Sequence, residues 1–147
     1  NFTGMFNGAT SFNQDISGWD VSSATTFRTM FYDTPFNKNI DSWDTSKVTN
    51  MQSMFYDTPF NQNINSWSTS NVTTMYNMFA SSSFNQNIDS WNTSNVTNMT
   101  DMFKQATSFN QDLSGWCVSN ISSEPSNFAT GSALTNANKP VWGTCPD

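Results

Sequence analysis

A short sequence motif recurs along the whole chain at a fixed interval, and this repeat constrains the fold more than any other feature. A Phe-Asn pair returns every 24 or 25 residues, a Trp follows each pair seven residues after the Phe, and another Phe follows each Trp twelve residues later. A single unit of this length cannot bury its apolar face, whereas stacked units share one continuous core. The sequence therefore predicts a stack of about five repeats. The aromatic columns expected in its core are Trp19, Trp43, Trp67, Trp91 and Trp116, together with Phe31, Phe55, Phe79 and Phe103.

The composition of the chain agrees with folding only because of this repeat. Just 35% of the 147 residues are hydrophobic and 11% are charged, a balance that by itself would be compatible with disorder. The 13 Phe, 6 Trp and 8 Met, however, recur at fixed positions. Large apolar side chains in register can bury enough area to offset the entropy lost on ordering the chain. We therefore expect a folded domain.

Each repeat is interpreted as one short helix and one short strand. Val48, Met51, Met54 and Phe55 have the i, i+3, i+6, i+7 spacing of one helix face, and the segment around Ile64 lacks that period and is expected to be a strand. The predicted fold is an α/β solenoid, a leucine-rich-repeat-like stack of 24–25-residue strand-plus-short-helix units. Residues 1–128 are assigned to the repeats, the first of them partial, and residues 129–147 to a C-terminal cap.

The predicted repeat leads to two further expectations, one for the start of the chain and one for the Asn of each Phe-Asn pair. The chain begins within the helical half of a repeat and shows no N-terminal cap, so we expect earlier repeats or another subunit to cover that end. Strands of neighbouring units would lie about 4.7–4.9 Å apart. At that spacing the Asn of each Phe-Asn pair can bond to its equivalents and to backbone groups, and we expect a buried Asn ladder. Its members are Asn13, Asn37, Asn61, Asn85 and Asn110.

The units resemble the tandem repeats of BspA-type bacterial surface proteins. The resemblance is carried by the Met-Phe-Lys-Gln-Ala-Thr-Ser-Phe-Asn-Gln-Asp-Leu-Ser-Gly-Trp run from Met102 to Trp116 and by Ser-Asn-Val-Thr-Asn-Met from Ser94 to Met99. The segment from Trp116 to Cys145 is similar to the closing segment of that family. The resemblance implies a curved leucine-rich-repeat solenoid, secreted or on a cell surface, that acts in adhesion. It brings no catalytic residues.

The residue types present exclude the common catalytic chemistries. The chain has no His, which removes Ser-His-Asp and Cys-His nucleophilic sites and the usual zinc ligand sets. Acidic residues recur with the repeat, as satisfied turn residues do, and do not form a unique pair. We therefore predict no enzyme, no catalytic residue, no metal site and no cofactor. Calcium is the alternative, because one column supplies only side-chain oxygens, at Asp15, Asn39, Asn63, Asn87 and Asp112.

Charge and cysteine content narrow the partners and the compartment. With 5 basic residues and a net charge of −6, the chain offers no basic surface for nucleic acid, and no apolar run is long enough to span a membrane. Cys117 and Cys145 are expected to pair and to staple the cap in an oxidising compartment, two free thiols in a cytosolic protein being the alternative. Glycans would be added only in a eukaryotic secretory route. The candidate glycosylation sites are Asn1, Asn71, Asn92, Asn95, Asn98 and Asn120.

Together these features predict a non-enzymatic extracellular or cell-surface protein that mediates adhesion or binds proteins or glycans. The alternative is a structural subunit of an extracellular filament, assembled head to tail through the terminal repeat faces. A third and weaker hypothesis is ice binding by a regular Thr column. That column consists of Thr25, Thr49, Thr73 and Thr97.

Overall fold

The structure, a computed structural model, describes residues 1–147 and contains almost no regular secondary structure. Its one helix is a single 3-10 turn, Asn136–Asn138. No helix has the length and apolar character needed to cross a membrane. No β-strand is formed. Backbone pairing of the strand type is limited to three isolated parallel bridges, Thr26–Asn50, Asn50–Thr74 and Thr74–Asn98.

The chain nevertheless forms a regular stack, because backbone groups of each repeat bond to the next. Equivalent residues of consecutive repeats lie above one another, and the rings of Phe31, Phe55 and Phe79 follow at centroid distances of 5.8 and 5.7 Å. We number the repeats as layers 1 to 5, followed by a closing segment. Their ranges are residues 1–25, 26–49, 50–73, 74–97, 98–122 and 123–147.

The predicted helix is a pair of tight turns. Met54 donates its backbone N–H to the carbonyl of Met51, three residues earlier, at 3.3 Å. The N–H groups of Met51, Ser53 and Phe55 instead donate to carbonyls of layer 4 at 2.9–3.1 Å. Ser53 has φ +53°, a left-handed conformation that an α-helix cannot contain. The same backbone conformation recurs at Asp57 in this layer, and in the other layers at Thr29, Asp33, Asn77, Ser81, Asp101 and Gln105.

The prediction of an α/β solenoid of leucine-rich-repeat type is therefore wrong. Two left-handed residues, four positions apart, interrupt this part of the backbone in each repeat, and N–H groups there bond to the next layer instead of within a helix. The predicted strand is also absent, although Ile64 is fully buried. In that half of the repeat an Asn side chain accepts the bond from the next layer: Asn61 donates its N–H to Oδ1 of Asn37 at 3.0 Å. With no backbone ladder there, no strand forms.

The core is one cluster of 35 buried residues that runs through the stack. Trp43, Trp67, Trp91 and Trp116 are 1–4% exposed, and each donates its Nε1–H to an Ile carbonyl of the preceding layer at 3.1–3.2 Å. The expectation of a buried residue at Trp19 is wrong, since Trp19 is 41% exposed. Trp19 lies in the first layer of the structure and lacks the cover that a preceding layer gives the other Trp residues, although Phe2 and Phe6 lie beside it at 6.4 and 5.8 Å. The second aromatic column is fully buried at Phe31, Phe55, Phe79 and Phe103.

The closing segment ends the aromatic columns in a different geometry. The ring of Phe128 lies edge-on to Phe103 at 5.5 Å, and Trp142 lies edge-on to Phe128 at 4.9 Å. The predicted disulfide between Cys117 and Cys145 is confirmed and fastens this segment to layer 5. One salt bridge, between Lys139 and Glu124 at 2.7 Å, braces the closing segment internally.

Candidate functional site

The Asn ladder is present but lies at the surface of the stack. The Oδ1 atom of each Asn accepts the backbone N–H of its equivalent in the next layer, at 2.9–3.1 Å, from Asn13 through to Asn110. The last Oδ1 accepts from Thr135 of the closing segment. These residues are exposed or half-buried, so the expectation of a buried ladder is wrong. The ladder stabilises the stack and engages the Oδ1 atom of every Asn in the column.

A second Asn column, which the sequence pattern did not identify as structural, joins layers through its amide nitrogens. The Nδ2 groups of Asn71, Asn95 and Asn120 donate to Ser carbonyls of the preceding layer at 2.7 Å. All three are candidate glycosylation sites, and the nitrogen that a glycan would occupy is the one that holds the layers together. Asn92 and Asn98 instead use Oδ1, which accepts the N–H two residues later at 3.0 Å.

The candidate calcium column is engaged in turns. The Oδ1 atoms of Asp15, Asn39, Asn63, Asn87 and Asp112 each accept a backbone N–H from two residues later, at 2.9–3.0 Å. No group of three or more His, Cys, Asp or Glu side chains is placed to hold a metal ion. The column therefore has a structural explanation that requires no ion.

The exposed Asp carboxylates are stabilised by the same kind of turn. The hydroxyl and the backbone N–H of Ser22 lower the pKa of Asp20, and those of Ser46 lower the pKa of Asp44. The Ser17 N–H and, secondarily, its hydroxyl lower the pKa of Asp15. None of these carboxylates has the raised pKa of a general acid. They are acceptors that shape turns.

A shallow polar depression crosses layers 1 and 2 on one side of the stack. No hydrophobic residue lines it, whereas small-molecule sites are mostly apolar concavities with a few polar groups. The depression is therefore a poor site for an enclosed substrate. Its lining residues are Asp15, Ser17, Lys38, Asn39, Asp41 and Ser42.

The most distinctive outward surface is a pair of stacked tyrosines in layers 2 and 3. The rings of Tyr32 and Tyr56 are 4.5 Å apart and 9° from parallel, and both side chains are half-buried. Burial, and then the neighbouring Tyr56, raise the pKa of Tyr32. Each tyrosine is followed by an exposed aspartate, Asp33 or Asp57. We call these four residues the Tyr–Asp patch.

The Tyr–Asp patch is invisible in a repeat pattern that keeps only what all units share. The run Tyr-Asp-Thr-Pro-Phe-Asn occurs twice, beginning at Tyr32 and at Tyr56, and in no other layer. The signal that could have revealed it is a departure from the repeat that two adjacent units have in common. Such a departure can mark a function that the stacking itself does not require.

The fold and its surfaces define a non-helical stacked-repeat protein. Apolar side chains fill the interior of its layers, and columns of polar side chains face outward. The chain matches the family model described as Mycoplasma protein of unknown function, DUF285, over residues 1–58 and 33–142. It belongs to this family. No curated protein and no solved structure matches the chain.

Proposed function

We propose that this chain is a non-enzymatic extracellular or cell-surface protein that mediates adhesion by binding proteins or glycans through the lateral surface of its stack. The observation that carries the proposal is the regular outward presentation of side chains. Every layer is bonded to the next through backbone and Asn side chains, so outward residues of successive layers stand in fixed rows. A rigid row of this kind loses little entropy when it engages an extended partner.

Three further features support this function. The resemblance of the units to BspA-type surface proteins points to the same role. The disulfide between Cys117 and Cys145 is of a kind that persists in oxidising compartments. The absence of His and the polar, open character of the one depression give little support to catalysis.

The proposal is tested by displaying the folded chain on beads and incubating them with immobilised extracellular-matrix proteins, glycans and bacterial cells. We expect saturable binding to at least one of these surfaces, competed by soluble chain. A matched control is the same chain with its disulfide intact but unfolded in urea and blotted, which should not bind. Binding no stronger than that of an unrelated acidic folded protein would contradict the proposal.

The filament is a second candidate, favoured by one observation at layer 1. Met5 and Trp19 are 46% and 41% exposed, whereas the equivalent residues of inner layers are buried. The opposite end offers a poor partner for head-to-tail growth, because Trp142 and the disulfide close it. Sedimentation velocity at rising protein concentration separates the candidates. A filament subunit would form large species that Phe6→Asp abolishes, whereas the adhesion function predicts that both proteins stay small.

A further inference from the structure

We propose that the Tyr–Asp patch (Tyr32, Asp33, Tyr56 and Asp57) is the docking site for an extended, basic segment of a protein partner. The segment would carry Arg or Lys at alternate positions and would run along the stack. This inference rests on the proposed binding function and narrows it to one site and one class of partner.

The fold does not require the residues of this patch. The column that holds Tyr32 and Tyr56 holds Ala80 in layer 4 and Lys104 in layer 5, and those layers stack in the same way. The next column needs only a residue that adopts a left-handed conformation. Gly8, Ser81 and Gln105 fill it elsewhere at φ of +57 to +70°. Asp adopts this conformation readily, but the stack does not require an Asp there.

The chemistry of the patch fits a cation. The one salt bridge of the chain joins Lys139 and Glu124, so the carboxylates of Asp33 and Asp57 have no cationic partner within the protein. Tyrosine rings attract Arg and Lys side chains through cation–π contacts, and a carboxylate beside the ring adds a charge-assisted hydrogen bond. The net charge of −6 favours the approach of a basic segment.

The spacing of the layers fits an extended peptide. Equivalent Phe rings of layers 2 and 3 are 5.8 Å apart at Phe31–Phe55 and 6.0 Å apart at Phe36–Phe60, and the two rings of the patch itself, Tyr32 and Tyr56, are 4.5 Å apart. Side chains at alternate positions of an extended chain are about 6.6 Å apart. Because Arg and Lys side chains are long and flexible, two of them at positions i and i+2 can adjust to this closer spacing and reach the carboxylates of two consecutive layers.

The test is an NMR titration of the folded, isotopically labelled chain with the capped peptide Gly-Arg-Ser-Arg-Gly. We expect the largest shifts at the four patch residues and weaker binding of Gly-Arg-Arg-Ser-Gly, which has the same charge in the wrong spacing. The double variant Asp33→Asn/Asp57→Asn should weaken binding by about five-fold. Asn tolerates the left-handed conformation, as Asn77 shows at φ +59°, so this variant keeps the fold.

Three further variants make the result specific. Asp20→Asn/Asp44→Asn removes the same charge from another column, where layer 4 already has Asn92, and should leave binding unchanged. Arg28→Gln gives layer 2 the residue type that layer 3 has at Gln52, and should strengthen binding by removing a cation from the neighbouring column. Tyr32→Ala/Tyr56→Ala, which introduces the residue type that layer 4 has in this column, should weaken binding by about five-fold.

Several outcomes would overturn the inference. Shifts spread over other acidic columns, or an equal loss in Asp20→Asn/Asp44→Asn, would show attraction by net charge alone. If the beads bind a glycan and only the tyrosine variant reduces that binding, the patch serves a sugar and not a basic peptide. If the beads bind a surface that no patch variant affects, this inference fails while the proposed function stands, and if they bind nothing, the proposed function itself fails.

Discussion

Layer 1 and the inner layers have Trp at the same repeat position, yet the burial of this Trp differs between them. Trp19 of layer 1 is 41% exposed, whereas Trp67 of layer 3 is 3% exposed and donates its Nε1–H to the carbonyl of Ile40 at 3.1 Å. The difference lies in the preceding layer, which Trp67 has and Trp19 lacks. Burial in this protein is therefore a property of two adjacent layers and not of the repeat.

At the C-terminal end of the stack, the face of the last layer is covered by the closing segment. Phe128 continues the Phe column, but its ring is turned edge-on to Phe103 and covered by Trp142. The closing segment thus replaces a sixth flat layer with perpendicular rings and a covalent bond between Cys117 and Cys145. A stack of this kind needs a separate structure wherever one of its ends is to be closed.

The sharpest test of the comparison replaces the same residue in two layers. Trp67→Ala should lower the free energy of unfolding by about 3–5 kcal/mol, because it opens a cavity in a packed core. Trp19→Ala should cost about 1 kcal/mol, since much of that indole is already in water. Urea unfolding followed by circular dichroism measures both, and similar losses in the two variants would show that layer position does not determine the contribution.

The residues of the aromatic columns and of the tight turns show which parts of this structure the sequence could predict. The repeat period and the inward-facing aromatic columns could be predicted from the sequence, because each layer must bury its large side chains against the next. The helix was wrongly predicted because Val48, Met51, Met54 and Phe55 have helical spacing, which two successive tight turns reproduce. What distinguishes the turns from a helix is the left-handed backbone at Ser53 and Asp57. The signal for it lay in layer 1, where the equivalent residues are Gly4 and Gly8 at φ of +63 and +70°.

The candidate sites were less predictable than the stack. The Asn ladder was legible as a column, but its exposure followed from the absence of a strand, which a repeat pattern cannot reveal. The Tyr–Asp patch was visible only as a difference between layers. The residues shared by all repeats are those that stacking requires. Residues that serve a function instead are expected at positions where stacking tolerates different residue types.

Removing the disulfide at the C-terminal end should have the next largest effect on stability. Cys117→Ser/Cys145→Ser should lower the free energy of unfolding by about 2–4 kcal/mol, because the cross-link restricts the unfolded chain over a sequence separation of 28 residues. It should also make Trp142 more accessible to acrylamide quenching while the inner Trp residues stay protected. Equal quenching of all Trp residues would mean that the closing segment holds the whole stack together and not only its end.

The smallest expected effect concerns the exposed turn carboxylates, compared with their neutral equivalent in layer 4. Asp20 and Asp44 have pKa values below the ordinary 3.8, because the Ser hydroxyl and then the backbone N–H two residues on bond to the charged carboxylate. A lowered pKa in the folded state stabilises the fold above the unfolded value, and the contribution is lost as the pH falls from about 4 through the folded value. Asn92 accepts the same pair of bonds from Ser94 without titrating.

The variant Asp20→Asn/Asp44→Asn should therefore retain the turns and lose part of the acid sensitivity. Urea midpoints measured from pH 6 down to about pH 2 should fall less steeply in this variant than in the unaltered chain. Asp15 and Asp112, whose pKa values are lowered by Ser17 and Ser114, stay in place and maintain the remaining slope. Identical slopes would mean that these hydrogen bonds are equally formed in the unfolded chain, and a steeper slope would assign the carboxylates a destabilising role.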